Sequence, residues 1–279
     1  MKNLIIFLFL FLFLNNCAKE STDITSQIEV DEIESQMIKS YEEGVASYNK
    51  KFYLEAAKKF NEAEILFPQS EWAPKASLMA AYSYYTDNYN NDAIRELQGF
   101  FKKYPNDKRI AYAHYLLAMS HYNNIVDEKK DLQPLLNSKK EFEYVVMNFP
   151  NTDFSLDSKF KLDLINEMIA SKEMYIARPY IKKEKWIPAI NRFKLVVENY
   201  DDTVFIEEAL HRLVEIHYKL GLEDEAKKYA YLLGYNYQSS EWYEKTYKVF
   251  NKTYDLKKTK KIKEKNKKSL IDKIKTKIF

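Results

Sequence analysis

Four times along this chain an aromatic residue stands directly before proline or aspartate: Phe67-Pro68, Tyr104-Pro105, Phe149-Pro150 and Tyr200-Asp201. The residues around these four points fall into columns. Counting from the second residue of each pair, position −12 holds Ala56, Ala93, Ser138 and Ala189. Position −8 holds Phe60, Leu97, Phe142 and Phe193, and position −5 holds Ala63, Phe100, Val145 and Val196. On the other side, position +8 holds Ala76, Ala113, Ser158 and Ala209, and position +12 holds Ala80, Leu117, Leu162 and Leu213. Self-similarity at intervals of a few tens of residues marks a chain built from stacked copies of one supersecondary unit.

The columns have a physical reading. Upstream of each landmark the apolar residues recur at three and four, as in Phe52, Ala56, Phe60, Ala63 and Phe67, which describes one face of an α-helix. Proline ends that helix, because it cannot extend the hydrogen-bond ladder and turns the preceding residue away from the helical region. A short polar segment follows each landmark, and then a second helical pattern begins. Small residues at fixed columns let helices approach closely, and large side chains fill the space beside them. The pattern resembles that of tetratricopeptide repeats, with Gly44 at the small position of the first antiparallel pair. Landmark spacings of 37, 45 and 51 residues exceed the ideal of about 34. The excess falls between Asn124 and Pro134 and in an extended helical region from Asp157 to Lys183. A fifth pair is expected over Glu207 to Leu220, with Gly221 as its C-cap, followed by Leu222, Ala226, Ala230 and Leu233. The expected fold is all-α: a tetratricopeptide-repeat superhelix of about five helix pairs over residues 36–250, whose stacked hairpins present a concave groove. An irregular helical bundle is the competing reading.

The N-terminus addresses the chain. Met1-Lys2-Asn3 is followed by eleven unbroken apolar residues, Leu4 to Leu14, and then by Cys17, the only cysteine. Eleven residues are too few to span a bilayer, which takes about 20. They have the dimensions of a secretory apolar core. With Leu14 three positions before the cysteine, the segment resembles a bacterial lipoprotein signal: 1–16 is the signal peptide, Cys17 the lipidated mature N-terminus, and 17–35 a polar tether. Asn16 departs from the small residue usual before the lipidated cysteine, and an uncleaved anchor is the alternative. Ala18, rather than aspartate, follows Cys17, which resembles the outer-membrane sorting pattern.

The net charge of +3 conceals an asymmetry. Residues 257–279 hold eleven lysines against Glu264 and Asp272, a net +9, so residues 17–256 carry −7. An acidic body lacks the counter-charge that phosphates need, which excludes nucleic acid as its natural partner. In the tail, Leu270, Ile271, Ile274 and Ile278 share one helical face, suited to an anionic membrane or an acidic partner; a solvated tail is the other reading. With four glycines in 279 residues, no phosphate-binding glycine motif is present. His114, His121, His211 and His217 form no metal-ligand motif, and His121 and His217 share a repeat column with Tyr84, a packing position. Neither catalysis nor a cofactor or metal is expected.

A lipoprotein signal followed by irregular tetratricopeptide pairs resembles the BamD/ComL family of outer-membrane β-barrel assembly lipoproteins. The likeness spans about Ser40 to Leu233. It is most specific at Trp186 to Thr203, with its Asn191-Arg192 pair, and at the junctions Phe67 to Pro74 and Tyr104 to Asp107. The resemblance implies a non-enzymatic scaffold anchored by lipid at the periplasmic face of the outer membrane. Its C-terminal repeats would bind the β-barrel insertase, with Arg192 and Asn191 at that contact; Glu198 or solvent is the alternative partner of Arg192. Its N-terminal repeats would bind accessory lipoproteins and the targeting segments of unfolded outer-membrane proteins, through Trp72 and, for a carboxylate, Lys102. Trp72 as a cap on the first repeat's core is the alternative. A periplasmic repeat lipoprotein organising cell-wall or division complexes is the other functional class. Mass spectrometry of the mature protein is expected to find acyl chains on Cys17. A Cys17→Ser variant is expected to lack them and to move from the membrane to the soluble fraction.

Overall fold

The computed structural model describes residues 22–125, 131–238 and 240–251. The expected signal peptide, Cys17 and the lysine-rich tail beyond Asn251 lie outside them. Among the described residues are eleven helices: α1 (Thr22–Asn49), α2 (Tyr53–Leu66), α3 (Ala73–Thr86), α4 (Asn90–Lys103), α5 (Ile110–Asn123), α6 (Gln133–Asn148), α7 (Asp153–Lys182), α8 (Trp186–Asn199), α9 (Ile206–Lys219), α10 (Glu223–Asn236) and α11 (Glu241–Phe250). No strand occurs among them. The fold is the expected all-α tetratricopeptide type, with five hairpins, α1/α2 through α9/α10, and one further helix.

Burial follows the columns. Every residue at −12, −8, −5 and +8 in all four copies is fully buried, from Ala56 and Phe60 to Val196 and Ala209. At +12, Ala80, Leu117 and Leu213 are buried, whereas Leu162 is half-buried. The chain forms two compact units that divide between Lys159 and Phe160, within α7 and three residues before Leu162.

In the first unit, Met37, Tyr41, Ala56, Phe60, Ala63, Ala76 and Ala80 form one core cluster, and Leu78, Ala81, Leu97, Phe100, Ala113, Leu116 and Leu117 form the next. Gly44 makes the first hairpin possible: a Cβ there would sit 2.8 Å from Cδ1 of Phe60. Aromatic contacts run along the first helices of successive hairpins, Tyr48 to Tyr82 (5.7 Å between centroids), Tyr82 to Tyr112 (6.4 Å) and Tyr112 to Phe154 (5.3 Å). In the second unit, Met174, Ala177, Ala189, Phe193, Val196, Ala209 and Leu213 pack in one cluster, and Ile206, Leu210 and Leu233 in another that Trp242 covers.

Two kinds of turn recur. Within hairpins, Lys51, Asn88, Glu184 and Gly221 take positive φ of 55 to 77°. Each is flanked by the paired hydrogen bonds of a Schellman motif, such as Phe52 N–H to Ser47 O and Lys51 N–H to Tyr48 O. Between hairpins, the landmark aromatic accepts from the residue three ahead, as Ser70 N–H does to Phe67 O and Thr203 N–H to Tyr200 O. The same bond closes a fifth time, Ser240 N–H to Tyr237 O. Tyr237-Gln238 is thus a fifth landmark without proline, and α11 stands as the first helix of a sixth pair whose second helix does not occur among the described residues. At its N-terminus the Ser240 hydroxyl accepts from Tyr243 N–H, a capping bond of the usual kind.

The N-terminal helix departs from expectation. It begins at Thr22, inside the segment read as a tether, although from Asp31 onward the first buried side chain is Met37. Residues 22–43 contain neither glycine nor proline, so nothing stops the helix from running outward beyond its packed part.

Gly44→Ala is expected to lower stability by about 1–3 kcal/mol through overpacking against Phe60, read as a fall in the urea midpoint. Gly99→Ala, where a Cβ meets nothing within 4 Å, is expected to raise it by about 0.5–1 kcal/mol.

Candidate binding surfaces

The junction before α3 builds an aromatic and cationic surface in the first unit. Trp72 is the N-cap of α3 and remains 39% exposed. Its ring meets Tyr41 of α1 edge-on, with centroids 5.3 Å apart. Lys75, one turn on, places Nζ 4.7 Å from the Trp72 ring centre and 5.1 Å from that of Tyr41. At partly exposed sites such contacts contribute about 0.5–1 kcal/mol each. Trp72 separates two depressions. One, of about 480 Å³, is lined by Trp72, Lys75, Lys108 and Arg109 together with the acids Glu71 and Asp107. The other, of about 280 Å³, is lined by Ile38, Tyr41, Val45, Trp72 and Lys75 with Glu42. Trp72 therefore lies over Tyr41 of the first core cluster and still offers part of its ring to solvent.

The cations around Trp72 differ in freedom. Arg109 is held by Asp107 through Nε (2.7 Å) and a terminal nitrogen (2.7 Å). The same carboxylate accepts from the Arg109 backbone N–H, and together these bonds hold Asp107 below the usual carboxylate range. Lys75 and Lys108 pair with no carboxylate among the described residues. Lys102, the cation singled out in the sequence, is exposed in the last turn of α4 and lines neither depression. Its neighbour Lys103 reaches back to Glu64 of α2 (2.8 Å), whose buried carboxylate also accepts from the Tyr104 hydroxyl (2.9 Å). Burial and that bond push the Tyr104 phenol up.

In the second unit, Asn191 and Arg192 lie exposed on α8. Arg192 is not the partner of Glu198, which sits six residues on and about 240° around the helix. Its guanidinium crosses to α7 and meets Glu173 at 2.8 Å. Glu173 is only 5% exposed, against 44% for Arg192, so one side of the guanidinium holds a buried charge and the other faces water. A second crossing is bidentate: Arg178 of α7 grips Glu208 of α9 at 3.1 and 2.7 Å. Burial opposes ionisation of Glu208, yet Arg178 and Arg212 together hold it below the usual range. The last helix is fastened by His211, fully enclosed, with Nδ1 2.8 Å from the Thr246 hydroxyl and its ring 5.2 Å from that of Trp242. His217 is likewise buried and bonds the Leu213 carbonyl (2.7 Å), a packing role.

Two features escaped the sequence reading although a signal was present. Position +4 from each landmark holds Trp72, Arg109, Phe154, Phe205 and Trp242, so the aromatic and the guanidinium beside it occupy one column. Likewise, counted from Gln238, Ala226 and Leu233 fall at −12 and −5 and Thr246 at +8, which places α11 in register.

Stacked helix pairs with recurring packing columns define a helical repeat protein of the tetratricopeptide type, with aromatic and guanidinium groups left at its surface. No group of three metal-ligating side chains, and no helix long and apolar enough to cross a membrane, occurs among the described residues. The chain belongs to the YfiO family, described as an outer membrane lipoprotein, which matches residues 33–233. It is similar to the outer membrane protein assembly factor BamD of Rickettsia prowazekii, 42% identical over 231 residues, 83% of this chain and 88% of the relative. The factor of the same name from Caulobacter vibrioides is 36% identical over 76% of this chain and 69% of the relative. That of Neisseria gonorrhoeae is 29% identical over 78% and 85%.

Burial opposes ionisation of Glu215, but His211 and Arg212 bring its pKa down to about 2. A carboxylate with a lowered folded-state pKa adds stability above its unfolded pKa and loses it as pH falls through the folded one. The urea midpoint is therefore expected to fall between about pH 5 and 2. Glu215→Gln is expected to flatten that slope in the same titration.

Proposed function

We propose that this chain is a non-catalytic scaffold for the assembly of outer-membrane β-barrel proteins, held by lipid on Cys17 at the periplasmic face of the outer membrane. The observation that carries the reading is the 42% identity to the Rickettsia prowazekii assembly factor across 83% of the chain. On this reading the C-terminal repeats hold the periplasmic part of the β-barrel insertase, with Asn191 and Arg192 at the contact. The half-exposed guanidinium supports it, because four of its five N–H donors remain after the bond to Glu173. An acidic group on the partner would meet them.

The N-terminal repeats receive accessory lipoproteins and the terminal segments of unfolded barrel proteins. A segment ending in an aromatic residue and a free carboxylate suits the surface at Trp72: the ring stacks on the indole, and Lys75 and Lys108 supply the charge. Lys102, farther along α4, adds to the same positive field.

Arg192 also neutralises a buried carboxylate, so its removal alone strands Glu173 and destabilises the α7/α8 hairpin. The test therefore pairs variants. Arg192→Ala is expected to reduce insertase recovery in a pull-down of the lipidated protein by about 10–100-fold. The double variant Arg192→Ala, Glu173→Gln is expected to regain thermal stability without regaining the insertase. Full recovery of the insertase by the double variant, or capture of cell-wall synthases in its place, would sink the reading.

A further inference from the structure

The sixth hairpin lacks its second helix among the described residues, and the place that helix would fill is open. In the second hairpin the second helix, α4, packs against α3 of its own pair and reaches α2 of the pair before through Asn61 to Glu96 and Lys103 to Glu64. For α11 that place is the groove it forms with α10. The groove encloses about 450 Å³ and is lined by Tyr231, Gly234, Tyr235, Tyr243, Tyr247 and Phe250, among others. Gly234 lets the Tyr243 ring come within 3.2 Å of where a Cβ would stand, which sets the floor. The walls are apolar and open to water: Tyr231 is 74% and Tyr235 85% exposed. Leaving such rings bare forgoes the burial that all five preceding pairs obtain.

We propose that the occupant is this chain's own C-terminal segment, residues 269–279, which supplies the missing second helix of the sixth hairpin. Three observations converge on it. The described chain ends at Asn251, directly after Phe250 in the groove wall. Residues 252–268, seventeen in number, are ample to turn back even in a compact path, since an extended chain gains about 3.3 Å per residue. The third hairpin already spans a long connection of this kind, between Asn123 and Gln133. Leu270, Ile271, Ile274 and Ile278 fall within about 100° of one another on a helix, a stripe matched to one apolar groove.

Charge favours the same seat. The tail carries +9, whereas the body carries −7. Asp201, Asp202 and Glu207 have no cationic partner among the described residues. All three act electrostatically on the Tyr237 phenol, four residues before Glu241 opens α11. The inference stands independently of the assembly role, since it concerns how the repeat array ends.

The test uses the full mature chain with a photoreactive benzoylphenylalanine in place of Tyr235. Irradiation of the monomer, digestion at glutamate and mass spectrometry are expected to find an intramolecular crosslink to residues 265–279. The double variant Leu270→Asp, Ile274→Asp is expected to cut that product at least tenfold, with the helical circular dichroism of the body unchanged. The same reagent in place of Tyr89, which is exposed in the first unit, is expected to give no tail crosslink. Products only between two chains, a yield indifferent to the aspartate pair, or tail binding to phosphatidylglycerol vesicles with no intramolecular product would overturn the proposal.

Discussion

A small residue set against a large ring is the contact on which the rest of this molecule depends. Gly44 facing Phe60 is its tightest instance: one methyl group more and the Phe60 ring must shift for the two helices of the first hairpin to close. The alanine and serine columns repeat that geometry at each later pair, and the phenylalanine and leucine columns fill the space it leaves. Because every hairpin buries its face only against its neighbours, the array grows by addition, and its stability is a sum of local contacts. The abundance of tyrosine follows from the same geometry. A ring can pack along the stack while its hydroxyl finds a polar partner, as Tyr48 does at the Thr86 hydroxyl and Tyr104 at the Glu64 carboxylate.

Much of this was legible from spacing. Columns twelve, eight and five residues before the landmark, and eight after it, mark fully buried positions in all four copies, because a helix that repeats its neighbour must repeat its contacts. What escaped was written in other terms. The fifth landmark has glutamine where the others have proline or aspartate, so α11 was hidden from a search keyed to the helix stop and visible only in the packing columns. Lys51 and Glu184 adopt the left-handed conformation that glycine or asparagine would announce, because the Schellman bonds around them outweigh a modest backbone penalty. The partner of Arg192 could not be read at all. Glu173 lies nineteen residues upstream on another helix, and only the crossing of α7 and α8 brings them together.

The two proposed binding surfaces differ in how they are prepared. At Trp72 the rings and the Lys75 ammonium are already mutually packed, so a peptide bound there as proposed would lose little affinity to ordering the surface. At Arg192 the guanidinium is shared between an internal carboxylate and the outside. A partner's acid would strengthen a contact that already fixes the hairpin, which ties recognition to the integrity of that repeat. Such coupling suits a chain in the outer membrane lipoprotein family, whose work on this reading is to hold polypeptides in place.

The buried acids bear on how an array of near-identical hairpins assembles without error. Columns of alanine and phenylalanine look much alike from one repeat to the next, so a helix docked one turn out of place would find almost the same apolar welcome. Glu64, Glu173 and Glu208 break that degeneracy, because each has its cation at a single height on a neighbouring helix. A slipped pairing would trap an ion with no counterpart, a penalty far larger than the hydrophobic difference between the two alignments. Slipping a stack by one turn would part all three carboxylates from their cations, so these pairs favour the one alignment that the apolar columns alone leave open.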